Sequence, residues 1–345
     1  MNIEPRIAAQ TEIDWALFRE RITAARRVLL TSHVRPDGDC IGSAIAMYRA
    51  MQALGKEVRI VNDHPVPPSL RFLDPDGEIL QLSQLDDSQR KWIDTIDLFW
   101  IVDTSAWMQL GEMGPLFRES SAQKIVLDHH AIGNHLCEDM FVDPTVEATG
   151  ALCLRAVKEL GLPLTPELAV PIFIAIATDT GWFRFNSVRN STFLAAADLV
   201  EAGVKPDEMY RLLYERESLA RLRLIGRALE RTEPHRNGTV VFSWLTLQDF
   251  DELQALPSDT EDIVNMPLQI AGTQFAVMFV EQRTGRFKVS FRSRCDVDCS
   301  RLAAMFQGGG HKRAAGATLD CSLEESKQKV LAAILDAYEE DAVEK

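Results

Sequence analysis

Long apolar runs are missing from this sequence. Near its ends nothing approaches the ~20 apolar residues that span a bilayer, so no membrane association is expected. Residues 1–27 mix Glu, Asp and Arg throughout, so no secretory leader is expected either. Paired cysteines are missing too. Cys40, Cys137, Cys153, Cys295, Cys299 and Cys321 lie scattered without a zinc-type spacing, beside ten Met. That usage fits a reducing, cytoplasmic setting and not a disulfide framework. Positive charge is short: 37 Lys and Arg stand against 51 Asp and Glu, a net charge of −14. Such a balance excludes a general basic surface for coating long nucleic acid. It leaves room for a short phosphorylated substrate in a local basic pocket. No repeat and no low-complexity tract is visible.

What is there is ordinary in bulk. The chain has 345 residues, 46% hydrophobic and 26% charged. That length predicts about two domains with ample core, needing no covalent or metal staple to fold. Residues 11–27 read as a short amphipathic helix. Residues 28–32, 97–103 and 124–128 are compact apolar runs, the last two ending on an acid, as buried parallel strands do. Residues 56–62 read as a further strand. Helical spacing covers 41–54, 150–160 and 167–177, so the first part is α/β. A helical connector follows. Beyond Asn237-Gly238, strands are expected at 239–245, 274–281 and 286–294, with a turn at Arg283-Thr284-Gly285. Helices are expected at 262–271, 299–306 and 323–338. The fold class is therefore an N-terminal α/β domain with a mostly parallel sheet (1–205), a connector (206–235) and a smaller α+β domain (236–345), with a cleft between the domains.

Four polar clusters interrupt this pattern at the ends of apolar elements. They are His33-Val34-Arg35-Pro36-Asp37-Gly38-Asp39, Val102-Asp103-Thr104-Ser105, Leu127-Asp128-His129-His130 and Ala177-Thr178-Asp179-Thr180-Gly181. In open α/β sheets ligands bind at the carboxyl ends of the strands. Each cluster alone has a bland reading as a turn, a cap or a helix stop. Together they gather carboxylates that repel one another unless a cation compensates. An Asp/His set without Cys suits two divalent cations, Mn²⁺ best, with Mg²⁺, Co²⁺ or Zn²⁺ as other occupants.

These segments, HVRPDGDCIGS, VDTS, DHH and ATDTG, resemble the four motifs of the DHH phosphoesterase superfamily over about residues 20–200. The resemblance implies that His33, Asp37 and Asp103 hold one metal. It assigns Asp39, Asp103, His129 and Asp179 to the other, with Asp103 bridging. Asp128 would orient an imidazole from behind, and His130 would face the substrate phosphate, making Asp103 and His130 the catalytic pair.

In the second domain Gln307-Gly308-Gly309-Gly310-His311-Lys312-Arg313 suggests amides turned inward as an anion nest. Alternation along 287–294 puts Phe287, Val289 and Phe291 on one strand face. Lys288, Ser290, Arg292 and Arg294 share the other. This stretch resembles the DHHA1 domain over roughly 236–340. That resemblance implies substrate binding by Arg292, Ser293, Arg294, Gly308, Gly309, Gly310 and His311. Gln307 stands where relatives often have a fourth Gly. The pair Asp143-Pro144 and Thr149-Gly150 reads as a loop and a helix start. Cys40 reads as packing.

A bare pair of these domains resembles the bacterial oligoribonuclease/pAp phosphatase (nanoRNase) group. The expected activity is metal-dependent hydrolysis of short RNA and of 3′-phosphoadenosine 5′-phosphate (pAp). Short RNA or a small nucleotide is the expected partner, without a long nucleic-acid tract, and a homodimer is compatible with the reading. The alternatives are a cyclic-di-AMP/pApA phosphodiesterase, a pyrophosphate or polyphosphate hydrolase, and a non-catalytic nucleotide-binding protein.

Overall fold

The computed structural model describes residues 13–131, 133–283 and 285–343. It divides into two compact units between Arg216 and Glu217. No helix among the described residues is long and apolar enough to cross a membrane. The N-terminal stretch read for a leader lies partly outside the described residues, as do Thr11, Glu12 and Thr284.

The first unit is built on a six-stranded parallel sheet, in the order β3-β2-β1-β4-β5-β6. Its strands are β1 (Arg27–Thr31), β2 (Glu57–Asn62), β3 (Ile79–Gln81), β4 (Leu98–Val102), β5 (Gln123–Asp128) and β6 (Asp139–Val142). β4 is buried at every position, as a continuous apolar run covered on both faces must be. Leu98, Trp100 and Val102 of β4 face one core, while Phe99 and Ile101 face another. The first core is closed by α1 (Trp15–Ala24), α2 (Gly38–Ala53), α5 (Thr149–Glu159) and α6 (Pro166–Asp179). Across the sheet lie α3 (Asp87–Ile93) and α4 (Met113–Glu119). Chain order reverses between β1 and β4, so their carboxyl ends flank the switch point of the sheet.

Glycine sets how closely α2 lies on α6. A Cβ at Gly38 would sit 2.4 Å from the Thr178 hydroxyl, and one at Gly42 2.4 Å from the Pro171 carbonyl. This close approach brings the N-terminus of α2, with Asp37 and Asp39, beside the C-terminus of α6, with Asp179. The helical stretch after it is three helices: α7 (Asn190–Glu201), α8 (Pro206–Tyr214) and α9 (Leu219–Glu230). The first two belong to the first unit and α9 to the second. Residues 206–235, read as a connector, thus contribute to both units.

The second unit holds a mixed sheet in the order β11-β12-β10-β9-β8-β7. Its strands are β7 (Glu233–His235), β8 (Val240–Leu245), β9 (Phe275–Glu281), β10 (Phe287–Ser293), β11 (Gly309–His311) and β12 (Ala314–Leu319). Only β8 and β9 run parallel. One face carries Phe242, Phe275, Val277, Val289 and Phe291 against α11 (Cys299–Met305) and α12 (Leu323–Val343). The other face is covered over β8 and β9 by α9 and by residues 263–268, with α10 (Leu247–Leu253) at the side. The helix expected at 262–271 is two 3₁₀ turns, Ile263–Asn265 and Pro267–Gln269. Asp262 is left-handed (φ 61°), and Pro267 has no N–H to continue a helix.

Candidate active site

Three strand ends and two helix ends deliver the polar clusters to one place in the first unit. β1 runs into His33, β4 into Asp103 and β5 into Asp128 and His129. Asp39 rises from the first turn of α2 and Asp179 ends α6. His33, Asp37 and Asp103 form one group of donor atoms, and Asp39, His129 and Asp179 a second. A third group joins Asp103 to His129 and His130. Within each, the atoms lie within 4.8 Å of one another.

Asp103 stands at the centre. It is 1% exposed and left-handed (φ 66°), a conformation Asp adopts more readily than most residues. Its Oδ2 lies 3.4 Å from His33 Nε2, and its Oδ1 lies 3.9 Å from His129 Nε2. Each carboxylate oxygen thus addresses a different imidazole. His129 Nε2 also faces Asp39 at 3.8 Å and Asp179 at 3.6 Å. Asp37 Oδ1 is 3.8 Å from His33 Nε2 and accepts from the Cys40 amide at 3.0 Å, capping α2.

The donor set fits a pair of cations. His33 Nδ1 lies 2.9 Å from the Val34 carbonyl, and His129 Nδ1 lies 3.4 Å from that of Val146. With the ring proton directed to a carbonyl, each neutral Nε2 presents a lone pair toward carboxylate oxygens, an arrangement that a cation between them would make favourable. No Lys or Arg among the described residues pairs with these acids. The charge imbalance shows in the titration. Burial, then Asp103 and Asp179, pushes the Asp39 carboxyl well above the usual range. Burial, with Asp103 and Asp37 added, raises Asp179 despite the opposing pull of His129. Burial works against the His33 imidazolium, yet Asp103 and Asp37 raise its pKa. Burial is outweighed at Asp37 by His33 and the Cys40 amide, which lower its carboxyl.

Asp39 is anchored by a device the sequence did not disclose. The Thr149 amide donates to its Oδ2 at 2.7 Å and the Gly150 amide to its Oδ1 at 2.8 Å, both from the first turn of α5. Ser43 adds a hydroxyl at 3.0 Å. The Thr149 hydroxyl donates to Asp103 Oδ1 at 2.8 Å. Thr149-Gly150 is the helix start expected, and it also positions two of the acids. The only sequence signal was the general affinity of helix N-termini for carboxylates.

Asp128 orients His130 rather than His129. Its Oδ1 lies 2.7 Å from His130 Nδ1 and accepts from the His129 amide at 2.8 Å. That contact outweighs burial and raises the His130 pKa to about 9. The Nε2 of His130 has no hydrogen-bond partner among the described residues. Cys40 is buried, its thiol donating to Ser32 Oγ at 2.9 Å.

In the second unit, β10 alternates as expected, with Phe287, Val289 and Phe291 inside. The remaining candidates separate. Arg292 is half-buried, its guanidinium bonded among the described residues to the Phe291 carbonyl at 3.0 Å. Ser293 points the other way; it is 5% exposed and its hydroxyl donates to the Cys295 carbonyl. Arg294 is tied to the Leu268 carbonyl at 2.7 Å. The glycine run is no anion nest. Gly309–His311 is extended as the short strand β11, paired with β12, and His311 is exposed beside the Lys312-Arg313 tip. Gln307 (φ 58°) closes α11, and the Gly308 amide reaches back to the Ala303 carbonyl at 2.8 Å. That is a left-handed helix cap, where glycine costs least.

Known proteins carry the same two blocks. The DHH family, N-terminal domain, matches residues 27–176, and the DHHA1 domain matches 237–340. A bifunctional oligoribonuclease and PAP phosphatase NrnA of Thermus thermophilus is 31% identical over 317 residues, 89% of each chain. The chain belongs to the DHH family. It is thereby an enzyme of the phosphoester-hydrolysing kind. The bifunctional oligoribonuclease and PAP phosphatase NrnA of Bacillus subtilis is 26% identical over 85% of this chain and 89% of that one. The crystal structure of an exopolyphosphatase-related protein from Bacteroides fragilis superposes with a TM-score of 0.80 at 28% identity. It covers 94% of this chain and 95% of that one.

Proposed function

We propose that the DHH site takes two divalent cations, Mn²⁺ first, and hydrolyses short oligoribonucleotides and pAp. The observation that carries this is Asp103, whose two oxygens address separate His/Asp groups. His33, Asp37 and Asp103 would hold one ion, and Asp39, Asp103, His129 and Asp179 the other. Such a pair supplies an activated water and charge at the phosphoryl oxygens. The chain's own part is positioning. The α5 amides fix Asp39, and Thr149 fixes Asp103, so the acids are set before any cation binds. His130, oriented by Asp128, directs Nε2–H outward as a donor to a phosphoryl oxygen. In the second unit Arg292 and His311 hold substrate phosphate. The names of the Thermus and Bacillus relatives support this substrate class.

The test is a substrate panel on chelated protein resupplied with Mn²⁺, Mg²⁺ or Co²⁺. The panel contains pAp, pApA, RNA of two to five nucleotides, RNA of about 24 nucleotides, cyclic-di-AMP and pyrophosphate. Chelation should abolish turnover and Mn²⁺ restore it best, with pAp and the shortest RNAs cleaved fastest. Fastest cleavage of cyclic-di-AMP or pyrophosphate would replace the substrate assignment. Full activity with less than one equivalent of bound metal would overturn the two-ion site.

A further inference from the structure

The chain leaves α6 beyond Asp179 by a costly route. The Gly181 amide donates to the Thr178 carbonyl at 3.0 Å and the Trp182 amide to that of Ala177 at 2.6 Å, which closes the helix. One left-handed residue suffices for such a cap, and Gly181 (φ 56°) supplies it. Yet Trp182 (φ 59°) and Phe183 (φ 61°) stay left-handed as well. For large side chains this backbone is strained, and it persists only where surrounding contacts enforce it. Those contacts are present. The Trp182 ring meets Phe173, Tyr210 and Tyr214 edge-on, and Phe183 stacks on Phe193. The Thr180 hydroxyl accepts from the Phe183 amide at 3.1 Å, and its carbonyl from the amides of Arg184 and Phe185, each at 3.0 Å.

The product of this turn is the placement of Phe185, whose ring folds back onto Gly181. A Cβ on Gly181 would lie 2.4, 2.5 and 2.8 Å from its Cζ, Cε1 and Cε2. A point beyond the ring edge cannot be so near to all three atoms, so Gly181 lies under one face of the ring. Only glycine leaves room for that seat. Trp182 and Phe183 are half-buried, but Phe185 is 53% exposed, which leaves its opposite face open. Arg184 braces the turn, its Nε donating to the Gly181 carbonyl at 2.7 Å and its guanidinium carbon 5.9 Å from the Phe185 ring centre. Gly181 is two residues from Asp179, so their Cα atoms are at most about 7.6 Å apart. Asp179 belongs to the Asp39, His129 and Asp179 group. The open ring face therefore stands within the span of one nucleoside from the acid and histidine site.

We propose that Phe185 is a stacking platform for the base of the nucleotide whose phosphate lies at the DHH site. Every nucleobase has a π face, so an aromatic ring receives it without regard to sequence. The strained turn and the glycine seat fix the ring before substrate arrives. The platform rests on the nucleotide reading above. It makes Phe185 a specificity residue that separates nucleotides from phosphates without a base, and it places phosphate and base recognition of that nucleotide in the first unit.

The experiment compares kcat/KM for pAp and for the same bisphosphate with hydrogen in place of adenine. The full chain with Mn²⁺ is used, as wild type, Phe185→Leu and Phe185→Trp. The ratio of pAp to the base-free compound should fall about 5–20-fold in Phe185→Leu, chiefly through KM, because leucine keeps apolar bulk without a π face. Phe185→Trp should hold the ratio at or above that of wild type. A ratio within twofold of wild type in Phe185→Leu overturns the platform alone, whether both rates are kept or both fall together. A ratio that falls as far in Phe185→Trp as in Phe185→Leu makes the ring a structural part of the turn and overturns it too. Wild-type protein that does not cleave pAp overturns the substrate reading on which the platform rests.

Discussion

Gly42 in the first unit and Gly309 in the second invite the same substitution with opposite results. A methyl at Gly42 meets the Pro171 carbonyl at 2.4 Å, and relieving it pries α2 from α6. A methyl at Gly309 meets open space. The first unit is therefore tight because its acids must converge from four separate chain segments. The second unit sets no such constraint at Gly309, where a side chain would enter open space.

The largest effect that tests this contrast is on Asp103. Asp103→Asn keeps the Thr149 hydrogen bond and tolerates the left-handed backbone, yet removes the charge that both groups share. We expect turnover to fall by about 10³-fold or more, on the order of 4 kcal/mol. Metal-free stability should be unchanged or higher, because one of several repelling carboxylates is gone. Single-turnover rates and thermal unfolding in chelator measure the two. Near-normal turnover would remove Asp103 from the centre of the site. His311→Ala comes next. A charge-assisted contact is worth ~1.5–3 kcal/mol, so kcat/KM should drop roughly 10–150-fold with bound metal retained. Loss of metal in that variant would make His311 a ligand and dissolve the division between the units.

The glycine pair separates stability from activity. Gly42→Ala should destabilise by about 1–3 kcal/mol through overpacking. Gly309→Ala should change stability by less than about 0.5 kcal/mol, as surface changes do, while lowering activity on RNA. Denaturant titration beside kinetics would show it, and equal stability loss in both would erase the contrast. The smallest effect is expected at Gln307. Replacing a left-handed residue by glycine should stabilise α11 by roughly 0.5–1 kcal/mol, visible as a shift in denaturant midpoint without change in slope.

Much of this was legible in the sequence because buried parallel strands advertise themselves. Residues 98–102 and 125–127 are apolar up to the acid at which each strand delivers its chemistry. β3 and β6 were not legible, being three and four residues long with little pattern to read. The ligands could be named because side chains carry their identity in the letter. The grip of Thr149 and Gly150 on Asp39 could not, because backbone amides look alike in every residue. The triple glycine misled for a related reason. Its freedom suits an anion nest, but β12 offers ladder partners, and the run extends to pair with it. At 262–271, apolar spacing suggested a helix that Pro267 and a left-handed Asp262 forbid.

The crowding of Asp39, Asp103 and Asp179 has a consequence beyond catalysis. Folding brings these acids together against their mutual repulsion, and a cation that binds only the folded form offsets it by mass action. If the proposed cations bind there, cation supply would set not only how fast the enzyme works but how much of it persists: metal-starved chain would open more often and be reached more readily by proteases.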